Sequence, residues 1–131
     1  MSVILSVRHL TKEYEKFTLD DLSFEVESGM IMGLIGRNGA GKTTTMKSIL
    51  NLTPISGGEI LYFGQNLRDH EANIKEQIGY AGGAVDYYKK KKLRDIVHIT
   101  KTFYGSWSDV LYKKYAKLFD LDAEKTPAQL S

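Results

Sequence analysis

Gly36-Arg37-Asn38-Gly39-Ala40-Gly41-Lys42-Thr43 is the stretch around which the rest of the chain can be interpreted, and it matches the pattern G-x-x-x-x-G-K-[ST]. Before it, residues 30–35 form a short apolar run between glycines, which predicts a buried parallel strand. After it, Met46, Ile49 and Leu50 recur at helical spacing. The sequence therefore predicts a strand, a glycine-rich loop and a helix in succession.

The residue types of this loop suit a phosphate ligand. Backbone N–H groups reach phosphate oxygens only where no Cβ blocks the approach, which explains Gly36, Gly39 and Gly41. Lys42 adds a compact charge for the β- and γ-phosphates, and the Thr43 hydroxyl suits a Mg²⁺ ligand position. A helix beginning near Gly41 also directs its positive end at the anion. A glycine-rich turn with an incidental Lys-Thr is the alternative, and the agreement of pattern and context disfavours it.

Composition excludes several other classes of site. The chain has 131 residues, enough for one modest domain, and its 42% hydrophobic and 26% charged residues are typical of a globular protein. It has no cysteine, which excludes disulfides and thiolate metal sites, and its three histidines lack metal-ligand spacing. The net charge of +2 does not by itself indicate a polyanionic partner. No apolar run reaches the length of a membrane span and no signal-peptide profile is seen, so we expect a cytosolic protein.

Further elements follow from periodicity and turn residues. Strands are predicted over residues 3–10, 19–26, 59–63 and 78–81, a loop over 53–58, a short helix over 69–77 and helices from about residue 93. Ser106 and Asp109 have the spacing of a capping box and predict the start of the last helix. One stripe of that helix is apolar, and we interpret it as a core-facing surface: Trp107, Leu111, Tyr115 and Leu118.

This order of elements resembles the ATP-binding subunit of ABC transporters, and residues outside the loop carry the resemblance. Residues 10–14 look like the segment whose aromatic residue stacks on adenine in that family, and Tyr14 precedes Gly36 by 22 positions, as that aromatic should. Further similarity lies in residues 22–29, in residues 56–60 with Gly64, and in Leu130-Ser131, which resembles the opening of the signature motif L-S-G-G-Q. The resemblance covers the whole chain.

The resemblance implies an α/β fold. Residues 1–81 would form an antiparallel β subdomain with the core of a P-loop NTPase, and residues 82–131 a flexible Q-loop-like region and the start of a helical subdomain. ATP and Mg²⁺ are the implied cofactors, with Lys42 as a catalytic residue and Thr43 as the metal ligand. The implied nucleotide-binding residues are Tyr14, Gly36, Arg37, Asn38, Gly39, Ala40, Gly41, Lys42, Thr43 and Thr44.

The family also implies partners and a location. They are a transmembrane permease subunit and a second nucleotide-binding subunit, at the cytoplasmic face of a membrane. Residues 103–107, followed by an amphipathic helix, resemble exporters of the ABC-2 type. The resemblance therefore predicts a subunit that drives export.

The sequence departs from the family in two places. A glutamine or acidic residue is usual about where Gly83 stands, and at Asp86 a solvated loop carboxylate is favoured over a substitute ligand. The chain ends at Ser131, before the Walker B Asp, the catalytic Glu and the switch His of the family. Residues 118–122 are no replacement, because their apolar run is too short. We expect the N-terminal part of a longer protein, an incomplete domain that binds ATP and hydrolyses it negligibly.

Several alternatives remain open on the sequence. A kinase or GTPase is disfavoured by Tyr14 and by the antiparallel strands before the loop. An ABC-type ATPase of translation or DNA repair would need no permease, and Gly83 is compatible with a degenerate regulatory subunit. Residues 87–92 combine tyrosines with four lysines, which can indicate nucleic-acid binding. A solvated loop is favoured at this small net charge, so we expect no nucleic-acid partner, while contacts to a permease or to anionic lipid are a third possibility.

Overall fold

A computed structural model describes residues 2–37, 39, 41–82 and 88–130. The chain divides into two units, Met1–Ile74 and Lys75–Ser131, while the predicted subdomain boundary between residues 81 and 82 stays a prediction. The elements are β1 (Val3–Tyr14), β2 (Phe17–Glu27), α1 (Lys42–Ile49), β3 (Gly57–Tyr62), β4 (Gln65–Asn66), α2 (Glu71–Lys75), α3 (Leu93–Lys101) and α4 (Asp109–Leu118). None of the helices in these described ranges is long and apolar enough to cross a bilayer.

The first unit is built on an antiparallel sheet with the strand order β2-β1-β3-β4. In β2 the apolar residues alternate with polar ones, so Leu22, Phe24 and Val26 share the less exposed face, as the sequence predicts. A two-residue turn joins β1 to β2 and pairs Tyr14 with Phe17. The strands predicted over residues 3–10, 19–26 and 59–63 are confirmed. The first continues four residues further than predicted because its whole length pairs with β2.

Two bulges bend the middle of the hairpin of β1 and β2, in addition to a register shift between Val3 and Leu5. The strand register shifts between Val7 and Leu10 and again between Leu10 and Lys12. His9 and Asp21 take positive φ values of 51° and 49° at these positions. Their side chains meet, with His9 Nδ1 2.6 Å from Asp21 Oδ1, so the two bulges are joined at the surface.

The core of the first unit lies between the sheet and the helices α1 and α2. Its most deeply buried apolar side chains are Val7, Leu10, Ile60, Tyr62, Leu67 and Ile74. The Tyr62 hydroxyl donates a hydrogen bond of 2.6 Å to the Ile49 carbonyl at the C-terminal end of α1. Burial raises the pKa of Tyr62 to about 12. This bond fixes the end of α1 against β3.

The predicted strands over residues 30–35 and 78–81 are wrong. Both segments lie outside regular secondary structure. A strand requires a hydrogen-bonded neighbour, and no strand in the described part of the chain pairs with either segment. Ile31 and Ile35 are accordingly 99% and 94% exposed, so the run that reads as a buried strand lies on the surface of the first unit.

In the second unit a short return of the chain holds the start of α3. The backbone N–H groups of Leu93 and Arg94 donate to the carbonyls of Lys125 and Ala123, at 2.9 and 3.0 Å. These two donors belong to the first turn, where a helix offers its N–H groups no internal partner. The segment containing residues 123–125 therefore caps α3.

Helix α4 begins and packs differently from the prediction. Ser108, not Ser106, is the N-cap, and its hydroxyl accepts a 3.2 Å hydrogen bond from the backbone N–H of Leu111. The prediction that the apolar stripe of this helix faces the core is also wrong. No α4 residue is buried, and Leu111, Tyr115 and Leu118 are each about half exposed or more. Helix α2 is shorter than predicted, with five of the nine expected helical residues. Strand β3 begins two residues earlier than predicted, inside the predicted loop.

Candidate functional site

The glycine-rich loop meets helix α1 at Gly41. This residue is the N-cap of α1 with a φ of 99°, a left-handed conformation that favours glycine. Its carbonyl accepts two hydrogen bonds from the buried Thr45, 2.8 Å from the backbone N–H and 2.7 Å from the hydroxyl. A Cβ at Gly41 would lie 3.0 Å from Leu19 and 3.2 Å from Phe17. Glycine is needed here both for the backbone angle and for close packing against β2.

Lys42 connects the two ends of the loop. It is the first residue of α1, and its ammonium group donates a hydrogen bond to the carbonyl of Gly36. Its charge is therefore held over the loop backbone and not extended into solvent. An ammonium group held by a single neutral carbonyl can exchange that acceptor for an anion, because hydrogen bonds between charged groups are the stronger ones.

A cavity of about 570 Å³ opens beside this junction. Its lining combines loop backbone, two ammonium groups, two hydroxyls and one aromatic ring: Lys16, Phe17, Gly39, Gly41, Lys42, Thr43 and Thr44. No carboxylate is among the described lining residues. Backbone N–H groups at a helix start, cations and hydroxyls are the groups that bind phosphate oxygens. The cavity has the chemistry of a polyanion site.

The structure brings together five of the residues that the sequence assigns to this site. They are Gly39, Gly41, Lys42, Thr43 and Thr44, which all line the cavity. Gly36 is joined to the site because its carbonyl accepts the hydrogen bond from Lys42, and Arg37 is exposed. Asn38 and Ala40 lie outside the described residues, as do Gly83, Asp86 and Ser131.

Tyr14 lies at the end of β1, next to the turn that reaches the cavity. It pairs in register with Phe17, and directly opposite side chains in a hairpin lie on the same face. The Lys12 ammonium is 5.2 Å from the centre of the Tyr14 ring, and 44% of the Tyr14 surface is exposed. Tyr14 itself is not among the residues described as lining the cavity. An open ring beside a phosphate-type cavity is a suitable platform for a flat base.

Two cavity residues, Lys16 and Phe17, are missing from the sequence prediction. Lys16 lies in the tight turn between β1 and β2, and Phe17 is the first residue of β2. The contact of Phe17 with Gly41 places this turn at the loop. The only signal in the sequence is that they lie two and three positions after Tyr14. Nothing in a Glu-Lys-Phe segment by itself indicates phosphate binding.

The residues present fit Mg²⁺ together with a phosphate ligand. Thr43 lies in the first turn of α1 and lines the cavity. A hydroxyl oxygen is a ligand type that Mg²⁺ accepts, with waters and substrate phosphates supplying most of the shell. Across the described ranges no group of three or more His, Asp or Glu side chains is arranged for a metal. The ion would accordingly be held by Thr43 and the phosphates.

The basic segment of residues 87–92 is partly neutralised within the second unit. The Glu124 carboxylate accepts hydrogen bonds from Lys92 and Arg94, each at 2.9 Å. The bond from Lys92 and the charge of Arg94 lower the pKa of Glu124. Lys91 lies over the ring of Tyr88, 5.9 Å from its centre, and Tyr87 is outside the described residues. These contacts favour a loop tied to its own unit over a free nucleic-acid surface.

Comparisons with known proteins bear on the family of the chain and not on its individual site residues. A family model described as ABC transporter matches residues 19–131. The chain is 35% identical over 106 residues to the bacitracin transport ATP-binding protein BcrA of Bacillus licheniformis, which covers 80% of this chain and 35% of that protein. It is 40% identical over 77 residues to the Nod factor export ATP-binding protein I of Ralstonia nicotianae, covering 58% of this chain and 24% of that protein.

A solved structure described as the ATP-binding subunit of an ABC transporter has the same fold. The TM-score is 0.86 at 30% identity, and the match covers 98% of this chain and 56% of that chain. The chain thus spans about a third or less of the two curated relatives and about half of the solved subunit.

Proposed function

The chain belongs to the ABC transporter family of ATP-binding proteins, and from that premise we propose that its glycine-rich loop binds the phosphates of ATP together with Mg²⁺. The antiparallel sheet and the helices match the nucleotide-binding subunits of that family. The observation that carries the proposal is the cavity at the start of α1, where two ammonium groups and two hydroxyls surround loop backbone without a carboxylate among the described lining residues.

Lys42 has the leading role in this proposal. In the structure its ammonium donates to the Gly36 carbonyl, which keeps it at the mouth of the loop. When nucleotide binds, the ammonium exchanges this carbonyl for phosphate oxygens, a stronger charge-assisted hydrogen bond. The Thr43 hydroxyl would hold Mg²⁺, which neutralises part of the phosphate charge when bound. The Tyr14 ring offers a face for adenine, next to the cation of Lys12.

The 131-residue chain is proposed to bind ATP without appreciable turnover. Phosphoryl transfer is catalysed mainly by positioning and by electrostatic stabilisation of the transition state. The groups that this cavity offers are phosphate-binding groups, and its described lining contains no carboxylate able to orient an attacking water. The chain is therefore expected to bind ATP and to hydrolyse it negligibly.

The wider role is inferred from the relatives. One is named for bacitracin transport and another for Nod factor export, and both are ATP-binding proteins. We propose that the protein containing this chain drives export through a membrane permease, as a pair of nucleotide-binding subunits at the cytoplasmic face. Copurification with a membrane permease would support this role, and copurification with ribosomes or DNA-repair complexes would contradict it.

Titration with ATP tests the proposed site. The Lys42→Ala variant should bind Mg²⁺–ATP at least about tenfold more weakly, since it loses charge-assisted hydrogen bonds. Lys47→Ala is the matched control, because Lys47 lies in the last turn of the same helix, is exposed and does not line the cavity. Isothermal titration calorimetry gives the affinities, and phosphate release under the same conditions should not differ between wild type and Lys42→Ala. Equal affinity of Lys42→Ala and Lys47→Ala would refute the site.

A further inference from the structure

We propose that Lys16 is a second cationic contact for the polyphosphate, additional to Lys42, and that it raises the affinity of the site for the more highly charged nucleotides. This inference rests on the proposed function. Lys16 lies in the two-residue turn between β1 and β2 and lines the same cavity as Lys42, Thr43 and Thr44. It assigns a phosphate contact to the hairpin as well as to the glycine-rich loop.

The backbone position of Lys16 follows from the packing of the start of β2 against Gly41. Phe17 and Leu19 lie so close to Gly41 that a Cβ there would be 3.2 and 3.0 Å from them. The start of β2 is therefore pressed against the start of α1. Since Lys16 directly precedes Phe17, this contact holds the turn at the rim of the cavity. The apolar contact of Phe17 and Leu19 with Gly41 thus brings the lysine to the cavity.

The charge of Lys16 is available for a ligand. In the described part of the chain, Lys16 has neither an ion pair nor a side-chain hydrogen bond, and it is exposed. Its neighbour Lys12 differs, because Lys12 donates to the Pro54 carbonyl at 2.5 Å and lies over the Tyr14 ring. Lys42 differs too, because it donates to Gly36. Of these three lysines, Lys16 needs to break no such bond in order to meet a phosphate.

The charges that line the cavity determine how much Lys16 contributes to nucleotide affinity. With no carboxylate in its described lining, two ammonium groups face whatever anion enters. In the absence of Mg²⁺ the attraction of each grows with the charge of the nucleotide, so it is greater for ATP than for ADP and least for AMP. Because Lys16 is exposed and screened by solvent, its contribution should be about three- to tenfold in affinity, less than that of Lys42.

The test compares nucleotides of different charge on four proteins. Wild type, Lys16→Ala, Lys16→Arg and Lys47→Ala are titrated by calorimetry, in buffer that contains EDTA and no Mg²⁺, with a non-hydrolysable ATP analogue, ADP and AMP. Relative to wild type, Lys16→Ala should lose about three- to tenfold in affinity for the ATP analogue. Its loss of affinity for ADP should be smaller, and its affinity for AMP should equal that of wild type. Lys16→Arg, which keeps the charge, and Lys47→Ala should match wild type. The difference should shrink as salt is raised from about 50 to 500 mM, since the Debye length falls.

The outcomes separate this inference from the function on which it rests. If Lys16→Ala binds all three nucleotides as Lys47→Ala does, while Lys42→Ala loses binding, Lys16 has no phosphate contact and the loop site stands. If Lys16→Ala weakens ATP and AMP equally and arginine does not restore binding, the residue only shapes the turn and the inference is overturned. If wild type and Lys42→Ala bind ATP equally, the proposed function itself fails.

Discussion

Gly41 shows how much of this site depends on one residue type. The sequence predicts glycine there for access of phosphate to the backbone. The structure adds two further requirements, a φ of 99° and the close approach of Phe17 and Leu19. The motif could be predicted because its residues are adjacent in the chain. The contact with Phe17 could not, since it joins residues 24 positions apart and gives no periodic signal.

Tyr62 gives a prediction at the scale of one hydroxyl group. Tyr62→Phe removes the 2.6 Å bond to the Ile49 carbonyl and should lower the free energy of unfolding by about 1 kcal/mol at pH 7. Burial raises the pKa of the folded chain's Tyr62 to about 12, whereas an unfolded tyrosine titrates near pH 10. The contribution is thus complete below about pH 10 and is lost as the pH rises toward 12.

Urea denaturation of wild type and Tyr62→Phe at several pH values measures this loss. The difference in stability should be constant up to about pH 9.5 and should decrease above it. Tyr115→Phe is the control, because Tyr115 is 49% exposed on α4 and should change stability by less than about 0.5 kcal/mol at pH 7. A difference that grows with pH would contradict the assigned environment of Tyr62.

Among the elements, the pairing of β1 with β3 depends on a bulge beside Gly58. The register passes from Arg8 opposite Glu59 to Thr11 opposite Gly57, so β1 carries the extra residue. At Gly58 φ is 90°, and a Cβ would lie 2.4 Å from the carbonyl oxygen of His9 and 2.5 Å from that of Arg8. Backbone atoms in a paired strand cannot move away without loss of pairing.

Gly58→Ala is therefore expected to destabilise the chain far more than Gly64→Ala. Gly64 also has a positive φ, 76°, but nothing lies within 4 Å of its Cβ position. The change at Gly64 should cost about 1–2 kcal/mol of backbone strain, and the change at Gly58 roughly 3 kcal/mol or more because strain and collision add. Urea denaturation measures both. Equal costs at the two positions would contradict the bulge geometry.

Elements were predictable where local pattern and pairing agree. The alternation of Leu22, Phe24 and Val26 predicts β2, and its partner β1 is adjacent in the chain. The apolar run at residues 30–35 carries an equally clear signal, yet it is no strand, because a parallel strand depends on neighbours that local sequence does not specify. The N-cap of α4 was misplaced by two residues, since Ser106 and Ser108 offer the same hydroxyl.

For the molecule as a whole, the sequence predicts the phosphate-binding site better than it predicts turnover, substrate or partners. The family match covers residues 19–131, whereas the chain spans 35% of one relative and 24% of another. The phosphate-binding residues lie within one continuous loop and helix, so they could be assigned together. Transported substrate, permease and turnover depend on residues and partners beyond this loop, so the loop does not predict them.

The most direct measurement is to locate the bound nucleotide by NMR. Paramagnetic Mn²⁺ takes the same oxygen ligands as Mg²⁺, and as Mn²⁺–ATP it broadens amide signals near the metal. In the ¹⁵N-labelled chain, broadening should be strongest at Gly39 and residues 41–44 and should be lost in Lys42→Ala. Broadening centred on the lysine segment 89–92, and unchanged by Lys42→Ala, would show that the nucleotide binds elsewhere and would contradict the assignment of the loop.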